Sequence, residues 1–283
     1  MIRTAYSHPE SFSRHNDWVL DEVQAAVADR PADTAFVLLL DFDGTLAEFN
    51  PNPSAPQLTP QRRDWLEQIS RQPGLVVGIV SGRRLDDLRT RTRLPDRVYH
   101  AGLHGLEVEI DGNRTGHPDL YAAAQRLEGL ADALGRLVAD FPGALIEDKG
   151  ASVAVHARAV APDRRDAVFA RADVLAVPWI AERLVRRLEG DAVVEYLPNI
   201  DGHKGDATRW IACDVESKTG RTAWVAYLGD DITDEDAFRA ITSGISVLVG
   251  LRPTSATHKL NGIGDVDHFL RWLAAEGKVR EPS

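Results

Sequence analysis

The chain has 283 residues, 43% hydrophobic and 27% charged, with 33 basic side chains against 43 acidic ones and a formal charge of -10. That balance belongs to a folded globular chain with room for one large domain or two separate cores. The negative sign weighs against nucleic acid or an acidic membrane as partner, although a local basic cluster can still hold a small anion. Cys213 is the single cysteine, which excludes an intrachain disulfide and a four-thiolate metal site. Its neighbours Ile211 and Val215 suggest a buried or half-buried thiol without a catalytic role. No apolar run approaches the roughly 18–20 residues that cross a bilayer. The polar residues 1–12 lack the apolar centre of a secretory signal, so a cytoplasmic location is the expectation. Nothing in the sequence specifies a protein partner.

In chain order, a helix is expected over residues 13–29, with Trp18, Val19, Val23, Ala26 and Val27 on its packed side. The apolar run 36–40 reads as a central strand covered on both faces, hence parallel. A loop rich in Pro and Asn covers 50–59, and Thr59-Pro60 supplies a cap and first-turn proline for a helix bearing Trp65, Leu66 and Ile69. A second strand, 75–80, leads to a helix with Leu85 and Leu88 inward, and a third strand covers 98–101. Strand and helix in alternation imply a parallel sheet with its binding crevice beyond the strands' C-terminal ends.

The middle reads differently. Residues 106–110 alternate, and Asp111-Gly112-Asn113 signals a turn. One long helix is expected over 121–140, from the spacing of Leu127, Leu130, Leu134 and Leu137. Candidate strands at 145–148, 152–156, 184–189 and 193–197, with a helix at 162–176, resemble a small antiparallel sheet backed by helices. The parallel pattern then resumes: a helix after Lys204, a strand at 223–228, a helix at 234–240, a strand at 245–249 and a final helix at 266–275. The fold class expected is α/β, a Rossmann-like parallel-sheet core with an inserted α+β cap. Residues 1–34 form an N-terminal extension, 35–108 and 199–283 the core, and 109–198 the insertion.

Four clusters fall at the ends of core strands or the start of a core helix. Asp41-Phe42-Asp43-Gly44-Thr45 directly follows the first strand, where Gly44 can release the chain into a turn and bring both carboxylates to the crevice. Read alone, the pair could simply cap the strand. Val80-Ser81-Gly82-Arg83 ends the second strand and, by itself, is a common turn; Arg83 could touch an anion or form a salt bridge. His203-Lys204-Gly205-Asp206 precedes a helix. Gly229-Asp230-Asp231-Ile232-Thr233-Asp234-Glu235 follows another strand. Asp234 suits a helix's first turn, whereas Asp230 and Asp231 sit directly after an apolar strand and need another reason.

These four, in this order, resemble the signature of the haloacid-dehalogenase-like phosphatases. The resemblance implies that Asp41 is the nucleophile and that Asp43 protonates the leaving alcohol and then activates water. It further implies that Ser81, Gly82 and Lys204 hold the transferring phosphate beside Asp41. Asp41, the backbone carbonyl of Asp43, and Asp230 would ligate Mg2+, with Asp231 and Asp234 supporting them. Further segments are similar to trehalose-6-phosphate phosphatases: Gly44-Thr45-Leu46-Ala47-Glu48, Gly102-Leu103-His104-Gly105, Glu147-Asp148-Lys149-Gly150, His156-Ala157-Arg158 and Val194-Glu195. That likeness implies a phosphorylated disaccharide substrate, with Glu147, Lys149, Glu195, His104 and Arg158 reading the sugar. Ala157 departs from the aromatic residue often found between such a His and Arg, which leaves the shape of the sugar site open. Another sugar phosphate, such as sucrose 6-phosphate or glucosyl-3-phosphoglycerate, is the alternative substrate. A phosphosugar mutase and a non-catalytic sugar-phosphate sensor are the remaining alternatives; both Asp41 and Asp43 are retained, which argues against the sensor.

Overall fold

The computed structural model describes residues 17–50 and 52–276. Helix α1 covers Asp17–Ala28, and the expected start at residue 13 lies outside the described residues. Val23 and Val27 are buried as expected, whereas Trp18 is 57% exposed. There follow β1 (Ala35–Leu40), α2 (Pro60–Ile69), β2 (Leu75–Val80), α3 (Leu85–Thr92), β3 (Tyr99–Gly102), β4 (Glu107–Ile110) and β5 (Asn113–Gly116). Thr59 caps α2 by accepting from the Arg62 N–H, with Pro60 in the first turn, as the sequence implies.

The expected long helix at 121–140 is instead three short ones: α4 (Leu120–Gln125), α5 (Leu130–Gly135) and α6 (Leu137–Asp140). Gly129 takes a left-handed φ of 80° and breaks the ladder, a conformation open to glycine at little steric cost. The leucine spacing still places Leu127, Leu130, Leu134 and Leu137 inside, so periodicity captured burial but not continuity. Next come β6 (Leu145–Asp148), β7 (Val153–His156), α7 (Arg165–Ala181), β8 (Val185–Gly190) and β9 (Val193–Pro198). Helix α7 runs past the expected end at 176 because Pro178 lies on its exposed side, where water can satisfy the freed carbonyl.

The last elements are α8 (Lys204–Thr219), β10 (Ala223–Gly229), α9 (Glu235–Ala240), β11 (Gly244–Val249), β12 (His258–Leu260) and α10 (Ile263–Glu276). Strand β12, three residues long, and the fully polar, exposed β5 carry no apolar alternation and were not foreseen. Cys213 is exposed rather than buried: Ile211 and Val215 face the core from α8, and the residue midway between them points away.

The large sheet has eight strands in the order β12-β11-β10-β1-β2-β3-β4-β5. It is parallel from β12 to β3 and antiparallel through β4 and β5. All six residues of β1 are buried, since helices cover both faces of the sheet. One face packs on α1, α2 and α10, the other on α8 and α9. A second, antiparallel sheet in the order β6-β7-β9-β8 packs its own core of Leu130, Val155, Ala172 and Tyr196 against α5 and α7. The expected architecture, a mixed α/β core sheet with a smaller inserted sheet-and-helix cap, is the one observed. Among the described residues no helix is long and apolar enough to cross a membrane.

Candidate active site

Strands β10, β1 and β2 are parallel neighbours, so their C-terminal ends open on one edge of the sheet. Asp230 lies at the end of β10, Asp41 after β1 and Ser81 after β2, while Lys204 opens α8. Topology thus converges residues that are far apart in sequence.

Lys204 Nζ donates to Asp41 Oδ1 and Asp234 Oδ1, both at 2.7 Å, and all three side chains are buried. Asp234 also accepts from Tyr227 Oη at 2.8 Å and from the Asp231 N–H at 2.9 Å, so both its oxygens are committed. Asp230 accepts from Thr45 Oγ1 at 3.2 Å. One oxygen from each of Asp41, Asp230 and Asp234 lies within 4.8 Å of the others. Burial, partly offset by Lys204 and reinforced by Asp234 and Asp43, pushes the Asp41 carboxyl up to about 7. Burial, then repulsion from Asp41 and Asp234, pushes Asp230 up to about 10. Burial works against the Lys204 ammonium, but Asp234 and Asp41 outweigh it and hold its pKa well above the usual lysine range. A surplus of buried carboxylate over ammonium, built from oxygen donors alone, can coordinate a divalent metal. Since Asp234 is occupied, Asp41 and Asp230 have the oxygens to offer.

Gly44 makes this approach possible. Its φ is +88°, and a Cβ there would stand 2.3 Å from Asp230 Oδ2 and 2.6 Å from the Phe49 ring. Asp43 points to Arg83, which donates to both its oxygens at 2.6 and 2.7 Å in a bidentate pair. Arg83 also donates to Asp87 at 3.0 Å, so the salt-bridge reading of this arginine holds.

The Ser81 turn is braced from behind. Leu103 and His104 both have left-handed φ, 49° and 57°, an uncommon state for side chains of this size. Their N–H groups donate to Arg83 O at 2.8 Å and Ser81 O at 3.0 Å. The His104 ring fills the space beside Gly82, where a Cβ would meet it at 2.6 Å. Its Nε2 lies 3.2 Å from Glu195 Oε2. Burial, opposed by Glu195, pushes His104 below its ordinary pKa, so the neutral ring donates to that carboxylate.

Glu195 on β9 also accepts from Ser152 Oγ at 2.5 Å and Lys149 Nζ at 3.0 Å, and Lys149 donates to the Gly82 carbonyl at 3.0 Å. Burial would raise the Glu195 pKa, yet Lys149, His104 and Ser152 together hold it far below the usual range. The small sheet is therefore tied directly to the Ser81-Gly82 turn. Glu147 pairs with His156 at 2.8 Å. Arg158 donates to Asp191 Oδ2 at 2.9 Å and stacks 4.3 Å over the Phe49 ring.

One open cleft, with about 860 Å3 of empty space including its mouth, unites Asp41, Asp43, Ser81, Gly82, His104, Glu147, Lys149, Arg158, Glu195, Lys204 and Asp231. Asp230 and Asp234 join it through Asp41 and Lys204. The sequence reading missed Phe49, Asn50, Pro53 and Pro56, which line the cleft as well. Their signal was the density of Pro and Asn directly after an active-site strand. It also missed Ser152, a small residue whose role appears through its bond to Glu195.

A parallel sheet with an aspartate pair at a central strand end, a lysine and acidic loop beside it and an inserted cap above defines a haloacid-dehalogenase-like hydrolase. The sequence profile described as Trehalose-phosphatase matches residues 39–261, and the chain belongs to that family. The trehalose-phosphate phosphatase of Mycobacterium marinum is 34% identical over 276 residues, covering 93% of this chain and 68% of the relative. That of Mycobacterium tuberculosis is 33% identical over 258 residues, covering 88% and 63%. The chain thus spans about two thirds of the length of these relatives. The C-terminal domain of Candida albicans trehalose-6-phosphate phosphatase shares the fold, with a TM-score of 0.78, 21% identity, and coverage of 90% of this chain and 96% of that one.

Proposed function

We propose that this chain hydrolyses trehalose 6-phosphate to trehalose and phosphate through an aspartyl-phosphate on Asp41. The observation that carries the reading is the buried Asp41–Lys204–Asp234 cluster, with Asp230 beside it, on a cleft whose other wall is the small antiparallel sheet. Lys204 fixes the Asp41 carboxylate through Oδ1, and that carboxylate supplies the oxygen that attacks phosphorus. As the bond from phosphorus to the sugar oxygen breaks, the Asp43 carboxyl protonates that oxygen. Asp43 then takes a proton from water, which attacks the acyl phosphate, releases phosphate and restores Asp41. Ser81 Oγ and the Gly82 N–H donate to the phosphate oxygens as charge shifts among them. Arg83 occupies both Asp43 oxygens in this structure, so Asp43 must turn from Arg83 toward the cleft to carry the proton it delivers.

Magnesium is the proposed cation, held by Asp41, the Asp43 carbonyl and Asp230, with Asp231 and Asp234 behind them; when bound it offsets repulsion between carboxylate and phosphate. Residues 35–108 and 199–283 are the proposed catalytic core. Residues 109–198 form the cap, with its leading hairpin paired onto the core sheet, and 1–34 are an extension. Glu147, Lys149, Glu195, His104 and Arg158 are the proposed sugar-reading groups, since directional bonds to hydroxyls separate one sugar from another.

A phosphate-release screen with trehalose 6-phosphate, sucrose 6-phosphate and glucosyl-3-phosphoglycerate, each with magnesium and with chelator, tests this. The expected result is metal-dependent release with the highest kcat/KM for trehalose 6-phosphate. Preference for another ester overturns the substrate, and no release from any ester by folded, metal-loaded protein overturns the catalytic reading.

A further inference from the structure

Arg252 lies in the loop after β11, beyond the cleft, and reaches back to the acidic loop that follows β10. Its Nε donates to the Asp230 carbonyl at 2.8 Å and its Nη2 to the Asp231 carbonyl at 2.5 Å. Its Nη1 donates to Glu235 Oε1 at 2.5 Å. The guanidinium therefore bridges two successive peptide carbonyls and the first residue of α9.

Glu235 is itself fixed. It is buried and accepts from Thr254 Oγ1 at 2.7 Å, Ser255 Oγ at 2.5 Å and the Ser255 N–H at 2.9 Å. The segment 252–255 and Glu235 thus form a staple closed from both sides. A planar fork with five donors can span these acceptors, whereas an ammonium offers no such fixed geometry. Pinning both carbonyls fixes the two peptide planes that flank Asp231. With Gly229 already held by the pairing of β10 with β11, the backbone is then set on both sides of Asp230, and with it the direction in which that side chain leaves.

We infer that Arg252 is a positioning residue for the cation site: by clamping the Asp230 and Asp231 carbonyls it presets the Asp230 carboxylate beside Asp41. This rests on the reading of Asp230 as a metal ligand, and Arg252 acts through it without touching metal or substrate.

The test is direct metal binding by the full chain without substrate, using calorimetry with Mg2+ and electron paramagnetic resonance with Mn2+. The proteins compared are wild type, Asp230→Asn, Arg252→Ala, Arg252→Lys and Glu235→Gln. Asp230→Asn should lose measurable binding. Both Arg252 variants should bind roughly 10–100-fold more weakly, the range for losing a group that orients a ligand. At saturating metal their KM for substrate and their kcat should return close to wild type, which separates positioning from general damage. Glu235→Gln should weaken binding in the same direction, and with Arg252→Lys it carries the test if Arg252→Ala does not fold. Wild-type affinity in the folded Arg252 variants, even with a lowered Tm, makes the staple purely structural and overturns the inference. Wild-type affinity in Asp230→Asn overturns the ligand reading itself.

Discussion

Replacing Lys204 by methionine should cost the protein stability as well as turnover. The ammonium makes two charge-assisted hydrogen bonds of 2.7 Å, to Asp41 and Asp234, and side-chain exposures are 3%, 5% and 0%. Hydrogen bonds to charged groups contribute roughly 1.5–3 kcal/mol each. Removing one partner of a buried ion pair costs about 3–5 kcal/mol, because the charge left behind has neither water nor partner. Methionine keeps most of the buried stem, and protonation of Asp41 relieves part of the strain, so the loss should fall within about 3–5 kcal/mol. Urea unfolding followed by fluorescence of the six tryptophans, in chelator at neutral pH, measures it. Adding Asp41→Asn to the variant should recover about 1–2 kcal/mol, because a neutral amide needs no counter-charge. A loss below about 1 kcal/mol for Lys204→Met, or strict additivity in the cycle, would refute the claim that buried charge compensation is what Lys204 provides.

Asp41→Asn should lower kcat at least about 10^4-fold while leaving substrate binding measurable, and acid-quenched protein should carry no acid-stable, base-labile phosphate. Retained turnover would remove Asp41 from the nucleophile's role. In chelator, the stability of the wild type relative to Asp41→Asn should fall as pH rises from about 4 to 7, a comparison that cancels the opposite trend from His100 and His104, whose pKa values burial lowers. Asp41 has its folded pKa raised to about 7 against an ordinary 3.8, so the folded state binds the extra proton and loses that advantage as pH passes the folded value. Thermal melts of both proteins across that range check the sign, and a rise in the Tm difference, wild type minus Asp41→Asn, over the same window would contradict it. Glu147→Ala, which removes the His156 partner on the cap, should raise KM for trehalose 6-phosphate about 10-fold or more with a smaller change in kcat; unchanged kinetics would exclude it from sugar reading.

The elements bearing the catalytic groups were legible because their signals are local. Residues 36–40 and 75–80 are short apolar runs ending abruptly in polar residues, and Thr59-Pro60 is a self-contained helix start. The middle of the chain was less legible for an equally physical reason. Leucines at helical spacing report which side is buried, and they report it correctly at 127, 130, 134 and 137. A left-handed glycine at 129 nevertheless interrupts the helix, and leucine spacing carries no record of a break in the backbone ladder.

The sequence alone determined which residue types stand at which strand ends: a carboxylate pair after β1, a serine turn after β2, an acidic loop after β10 and a lysine opening α8. Those follow from hydrophobic runs and their termini, which are properties of a few consecutive residues. Only the tertiary structure decided which of these groups compensate one another. Lys204 bonds to Asp41 across 163 positions, Glu195 to His104 across 91, and Arg252 to the carbonyl of Asp230 across 22. Such pairings depend on parallel strand order, on the seating of the small sheet against the Ser81 turn and on side-chain reach. Each is a distance in space, and spacing along the chain does not encode it.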